Sequence, residues 1–300
     1  MPPNPARLRA RAIVGAALAL VLVVAGYGVY DHFRSVTPAL PPPGCQAGVG
    51  VQAISLDPDQ AVIAATIAGV AARHKLPKQA VIIAYAAALQ ESKMQNLDYG
   101  DLDSVGVFQQ RPSQGWGPAA DLMNPVYATT KFFAALVWVN DYSRMPVDQA
   151  AQDVQHSGDG SAYEQWAAVA TQLAGYFTGT SPHGVSCWYA PPATATANLA
   201  GLARNLAQTF GPAGRRGVVV RITTDRSAQK KAGSVAVVQA QQDAGWTVAG
   251  WLVANAQEFG LSEVRYAGYD WIAADGSMGW QRDSAAAAQP DPPRGSIVAG

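Results

Sequence analysis

The spacing of apolar and polar positions divides the chain into stretches of different character. From Ala12 to Tyr30 there is no alternation: nineteen residues pass without a charge, most of them Ala, Val and Leu. At about 1.5 Å of rise per residue, such a run approaches the length that crosses a bilayer. The next stretch, 31–44, holds Pro38, Pro41, Pro42 and Pro43, a composition that favours an extended, semi-rigid spacer. Between 57 and 178 apolar residues recur at intervals of three and four, the period of amphipathic helices. Asp57-Pro58 predicts a helix start with a run to His74, and a second helix follows Pro77. Asn124-Pro125 opens another with Val126, Phe132, Phe133 and Leu136 inward, Val147 to Val154 predicts one ending near Gly158, and residues 161–178 supply a last.

Pro182, Gly184, Pro191 and Pro192 interrupt this pattern and predict a boundary. Beyond it Asn198–Phe210 and Thr247–Phe259 read as helices. Val218–Thr223, Val235–Val238, Val264–Tyr266 and Met278–Trp280 read as strands, an alternation that predicts a small α/β or α+β domain. The Ala-, Pro- and Asp-rich residues 284–300 read as a loose tail.

Charge sets the orientation. Arg7, Arg9 and Arg11 precede the uncharged run, which favours a cytoplasmic N-terminus (1–11), a transmembrane anchor (12–30) and an extracytoplasmic remainder; a cleaved signal peptide is the alternative. Lys plus Arg and Asp plus Glu balance at 21 each, so the part beyond the three arginines is slightly acidic, which argues against nucleic-acid binding. The two cysteines, Cys45 and Cys187, both fall on the exported side, where an even pair predicts one disulfide, a lipid-modified Cys45 being the alternative.

Candidate chemistry centres on the second helix. Ala80, Ala84, Ala87 and Glu91 share one face, so a carboxyl continues a small-residue stripe. Apolar surroundings favour a carboxyl's protonated form, the form that glycoside cleavage requires to protonate the departing sugar oxygen. The plainer reading is that Glu91 ends the helix and faces water. In the loop that follows, Asp98, Asp101 and Asp103 beside Gly100 suit turn chemistry as well as a second catalytic carboxylate, Asp101 being the candidate for the latter. Tyr99, Trp116 and Trp166 have faces suited to stacking on sugar rings, and Phe108 reads as core. After residue 196 there is neither His nor Cys, which excludes a histidine-ligated zinc peptidase there; Trp246, Trp251, Trp271 and Trp280 would build its core or bind wall polymer or a partner.

Gln90-Glu91-Ser92, followed by Ser104-Val105-Gly106-Val107-Phe108-Gln109-Gln110-Arg111-Pro112, resembles the Glu-Ser and Gly-Leu-Met-Gln pair of the soluble lytic transglycosylase and goose-type lysozyme superfamily. Tyr99–Trp116 and Val154–Tyr163 are similar to a lysozyme-like group of actinobacterial envelope proteins. The resemblance covers about residues 45–187 and implies an all-α lysozyme-like domain that cleaves peptidoglycan. It implies Glu91 as the catalytic acid, Ser92 beside it, and Gln109 with Gln110 in the cleft. Where the superfamily carries Ala-Tyr-Asn-x-Gly this chain has Val154-Gln155-His156-Ser157-Gly158, so Gln155 and Tyr163 become candidates for the missing sugar contacts, with Trp116 at the cleft edge.

Together these readings predict a stalk (31–44), the lysozyme-like domain (45–187), a linker (188–196), an α/β accessory domain (197–283) and a flexible tail (284–300). The expected partners are peptidoglycan, the membrane and an envelope protein bound through the accessory domain, and neither cofactor nor metal is required. Whether cleavage yields anhydro or reducing sugars stays open, as does a catalytically weak, wall-binding scaffold.

Overall fold

The computed structural model of the chain describes residues 18–31, 42–156, 161–189, 197–211, 222–224, 236–239, 244–282 and 296–299. Contacts divide it into two compact units, 1–41 and 42–300.

In the first unit residues 18–31 are helical (α1), and Leu18, Leu20, Val21, Leu22, Val23, Val24 and Tyr27 are all exposed. Among the described residues no helix is long and apolar enough to cross a membrane; the expected span 12–30 lies partly outside them.

The second unit is an α+β fold of helices with small antiparallel sheets. Its centre is α2 (Pro58–His74), in which Ile63 to Ala71 are buried without a break. A helix apolar on every side needs neighbours all round. It packs against α3 (Lys78–Ser92), α5 (Pro125–Leu136), α8 (Ala167–Phe177), α9 (Leu199–Phe210) and α10 (Gly245–Ala254). Where α9 crosses α2, a Cβ on Gly69 would lie 2.4 Å from Thr209 Cγ2, so hydrogen there is what permits the approach. The starts follow the sequence signals: Gln60 Oε1 accepts the Asp57 N–H at the head of α2, and Asn124 Oδ1 accepts the Val126 N–H ahead of α5. Three short helices lie between α3 and α8: α4 (Ala119–Leu122), α6 (Val147–Gln155) and α7 (Ser161–Glu164). The single helix expected over 161–178 is broken at Gln165 and Trp166, between α7 and α8.

Several expectations are corrected. The region 45–187 is not all-α: β1 (Gly44–Ala47), β2 (Ile54–Leu56) and β3 (Val185–Trp188) form an antiparallel sheet in the order β2-β1-β3. Cys45 stands directly opposite Cys187 in this ladder and is disulfide-bonded to it.

The expected linker does not separate two cores. Trp188 belongs to β3, and the buried Tyr189 donates its hydroxyl to Ala254 O at 2.8 Å. Trp271 Nε1 donates to Cys187 O and Trp280 Nε1 to Val185 O, so tryptophans of the C-terminal part fasten β3 in place. Residues 190–196 lie outside the described ones.

The second sheet comprises β4 (Ile222–Thr224), β5 (Ala236–Gln239), β6 (Glu263–Tyr266), β7 (Tyr269–Ile272), β8 (Gln281–Arg282) and β9 (Ser296–Ala299), antiparallel throughout in the order β4-β5-β9-β6-β7-β8. The presumptive tail therefore supplies an inner strand, with Ile297 and Ala299 buried. Where a strand is expected at Met278–Trp280, Met278 ends a 3-10 turn over Ala273–Met278 and Gly279-Trp280 follow it outside any strand, and the expected helix over 247–259 is divided into α10 and α11 (Ala256–Phe259). Residues 218–221 lie outside the described ones.

Candidate active site

α3 is buried from Ala80 to Leu89, and in its last turn Gln90 and Glu91 become half-buried. The helix stops because Lys93 and Met94 both take left-handed conformations, φ 56° and 59°; Met94 N–H then bonds back to Ala88 O and carries the chain round. Glu91 is thus fixed at the mouth of a rigid helix. The hydroxyl of Tyr163, which is 1 % exposed, donates to Glu91 Oε1 at 2.6 Å. Among the described residues Oε2 has no hydrogen-bond or ion-pair partner.

The segment carrying the glutamines is folded against the end of α3. Leu97 and Gly106, and Val105 and Gln110, form isolated antiparallel bridges that make it a tight hairpin. Gly106 lies at φ 79°, and a Cβ there would come 2.6 Å from Leu122 O. Both the left-handed backbone and the close approach require glycine. Ser92 is buried: its hydroxyl donates to Val107 O at 2.7 Å and accepts the Gln95 N–H. It ties loop to helix. Gln110 is 2 % exposed, and its amide donates to Ala128 O on α5.

Gln109, at φ 46°, donates from Nε2 to Tyr99 O and Gly106 O, both at 3.2 Å. Gly100 is packed so close to the Gln109 amide that a side chain there would collide with it. Gln155, at the end of α6, donates to Phe108 O at 2.8 Å. Phe108 is core, stacked on Phe132 with centroids 4.5 Å apart. The glutamines hold the loop, and α6 is tied to it from the other side. Ser157 and Gly158 lie outside the described residues.

Asp101 is exposed, and its backbone carbonyl accepts the Ser104 N–H. Among the described residues no hydrogen bond or ion pair joins Asp101 to Glu91. Asp103 is committed elsewhere. Arg111 Nε lies 2.9 Å from it and the Ser113 N–H 2.7 Å, and these contacts, the guanidinium foremost, lower its pKa to about 2. Trp116 is half-buried against the core.

A second polar network lies beside Glu91. Trp166 Nε1 donates to Gln90 Oε1 at 2.8 Å, Gln165 Nε2 donates to the same oxygen at 3.3 Å, and the Lys93 ammonium lies 4.5 Å from the Trp166 ring centroid. Residues 163 and 166, three apart at the α7–α8 junction, thus meet residues 91 and 90 in turn. The sequence names Trp166 as a candidate aromatic, but a contact across 76 positions leaves no local signal.

Two open grooves of about 470 and 440 Å³ lie elsewhere, one between Arg73 and Tyr127 and the other beside Asp57 and Gln95; neither is lined by Glu91. Among the described residues no three His, Cys, Asp or Glu side chains are grouped to hold a metal ion. No protein-family model matches the chain, and no curated protein matches it.

Proposed function

We propose that this chain is an extracytoplasmic, membrane-anchored protein whose lysozyme-like part cleaves the glycan strands of peptidoglycan, as a lytic transglycosylase or muramidase, with Glu91 as general acid and base. The observation that carries the reading is the setting of Glu91: a half-buried carboxylate at the end of a buried helix, oriented through one oxygen by Tyr163. Oriented in this way, Oε2 is the oxygen that would carry the proton. As the C1–O bond breaks, Glu91 protonates the departing oxygen; as carboxylate it then removes a proton from the sugar's 6-hydroxyl, which closes on C1, or from water. Because Asp103 is paired with Arg111 and Asp101 sits in an exposed turn, the single-carboxylate route to an anhydro sugar is the better supported. The Cys45–Cys187 disulfide suits an oxidising compartment, and the uncharged run 12–30 behind three arginines suits an anchor.

A scaffold reading is favoured by one specific observation: Ser92, Gln109, Gln110 and Gln155 all bond to the chain's own backbone. The test is digestion of purified peptidoglycan by the full chain and by Glu91→Gln, with mass spectrometry of the released sugars. Anhydro ends from the wild type alone support the transglycosylase. Reducing ends point to water and to Asp101. Binding without release by either protein favours the scaffold.

A further inference from the structure

We infer that Lys93 and Trp166 form a subsite for a carboxylate-bearing sugar beside Glu91, an inference that rests on the glycan-cleavage reading for its substrate class. The indole is fixed at its edge, because Nε1 donates to Gln90 Oε1 at 2.8 Å, and this leaves the half-buried ring in a set orientation. The Lys93 ammonium stands 4.5 Å from its centroid, on an exposed side chain. None of the ion pairs among the described residues involves Lys93. A lysine at a helix C-terminus favours the terminal carbonyls, but that role does not require an indole held beneath it. A positive charge with no counter-ion among the described residues, held beside a fixed aromatic ring, suits a ligand with an apolar ring face and an anion at its edge.

An N-acetylmuramyl residue has that form wherever its lactyl carboxylate is free. In strands that keep their stem peptides the lactyl group is an amide, and the carboxylates belong to the peptide instead. The chemistry is the same from both sources, and the probes separate them.

The experiment is equilibrium binding of the full chain carrying Glu91→Gln, so that strands are not cut, to three probes: neutral N-acetylglucosamine oligomers, glycan strands stripped of peptide, and strands that retain it. The stripped strands should bind about threefold to fivefold more tightly than the neutral oligomers, the range of an exposed ion pair. Added Lys93→Gln should abolish that margin, Lys93→Arg should keep it, and raising the salt should shrink it. A Lys93-dependent margin for the peptide-bearing strands alone assigns the carboxylate to the stem peptide. Lys93→Asn, suited to the left-handed backbone at this position, serves if Lys93→Gln disturbs the fold by circular dichroism. Equal binding of all three probes, or a margin unchanged in the folded neutral variants, overturns the inference. Cleavage by the wild-type chain is measured separately: cleavage without the margin sinks the subsite alone, and the margin without cleavage sinks the enzymatic reading alone.

Discussion

Reducing the Cys45–Cys187 disulfide should cost the fold about 5 kcal/mol. The bridge joins residues 142 apart, so it closes a loop that contains the whole candidate site. In the chain-entropy account a loop of that length removes roughly 17 cal/mol/K from the unfolded ensemble, or about 5 kcal/mol at 25 °C. Typical domains are stable by only about 5–15 kcal/mol. Both cysteines are fully buried in adjacent strands, and β3 also receives the Trp271 and Trp280 hydrogen bonds, so the loss would be felt on both sides of the ladder. Urea unfolding of the full chain, oxidised against reduced, followed by tryptophan fluorescence, reads the difference, and Cys45→Ala/Cys187→Ala excludes effects of the reductant. A loss below about 1 kcal/mol in both comparisons would refute the reasoning, since the bridge would then constrain little that the rest of the core does not already hold.

Three further outcomes follow from the loop folded against the end of α3. Gly106→Ala should destabilise by at least about 2 kcal/mol in the same unfolding assay, because φ is 79° and the new methyl meets Leu122 O. Ser92→Ala should lose about 1–3 kcal/mol, leaving the buried Val107 carbonyl without its donor. The Asp103 pKa is depressed on folding, so its contribution is present above the ordinary carboxylate value and lost as the pH falls towards 2; Asp103→Asn should abolish this acid-dependent component of stability, measured by melting across the pH range.

What could be read from the sequence was what is local. Asp57-Pro58, Pro77 and Asn124-Pro125 announce α2, α3 and α5, because caps and fixed proline angles act within a turn of the residues that carry them. The sheet β2-β1-β3 left no such mark: its strands are three or four residues long, and β1 finds β3 across some 140 positions. The inner strand β9 has only Ile297-Val298 to announce it amid Ala, Pro and Gly, and its partners are also non-local, β5 through Ala236↔Ala299 and β6 through Val264↔Ala299. In the site, Glu91 stood out because it continues an apolar helical face. Its Tyr163 partner is legible only as a candidate sugar contact, because the hydrogen bond to the carboxylate spans 72 positions. The resemblance sets Ser92 beside the acid and Gln110 in the cleft; in the structure both are buried and bond to the backbone, which no local pattern announces.

The most direct test of the central claim is the rate of glycan-strand cleavage by the wild type, Tyr163→Phe and Glu91→Gln on one peptidoglycan preparation, with folding checked by circular dichroism. Loss of the general acid should lower the rate by at least about 100-fold. Loss of the hydroxyl that orients it should lower the rate by about 10-fold, the equivalent of one charge-assisted hydrogen bond. That order, with all three proteins folded, is the result the account predicts. Equal rates for the wild type and Glu91→Gln would contradict it.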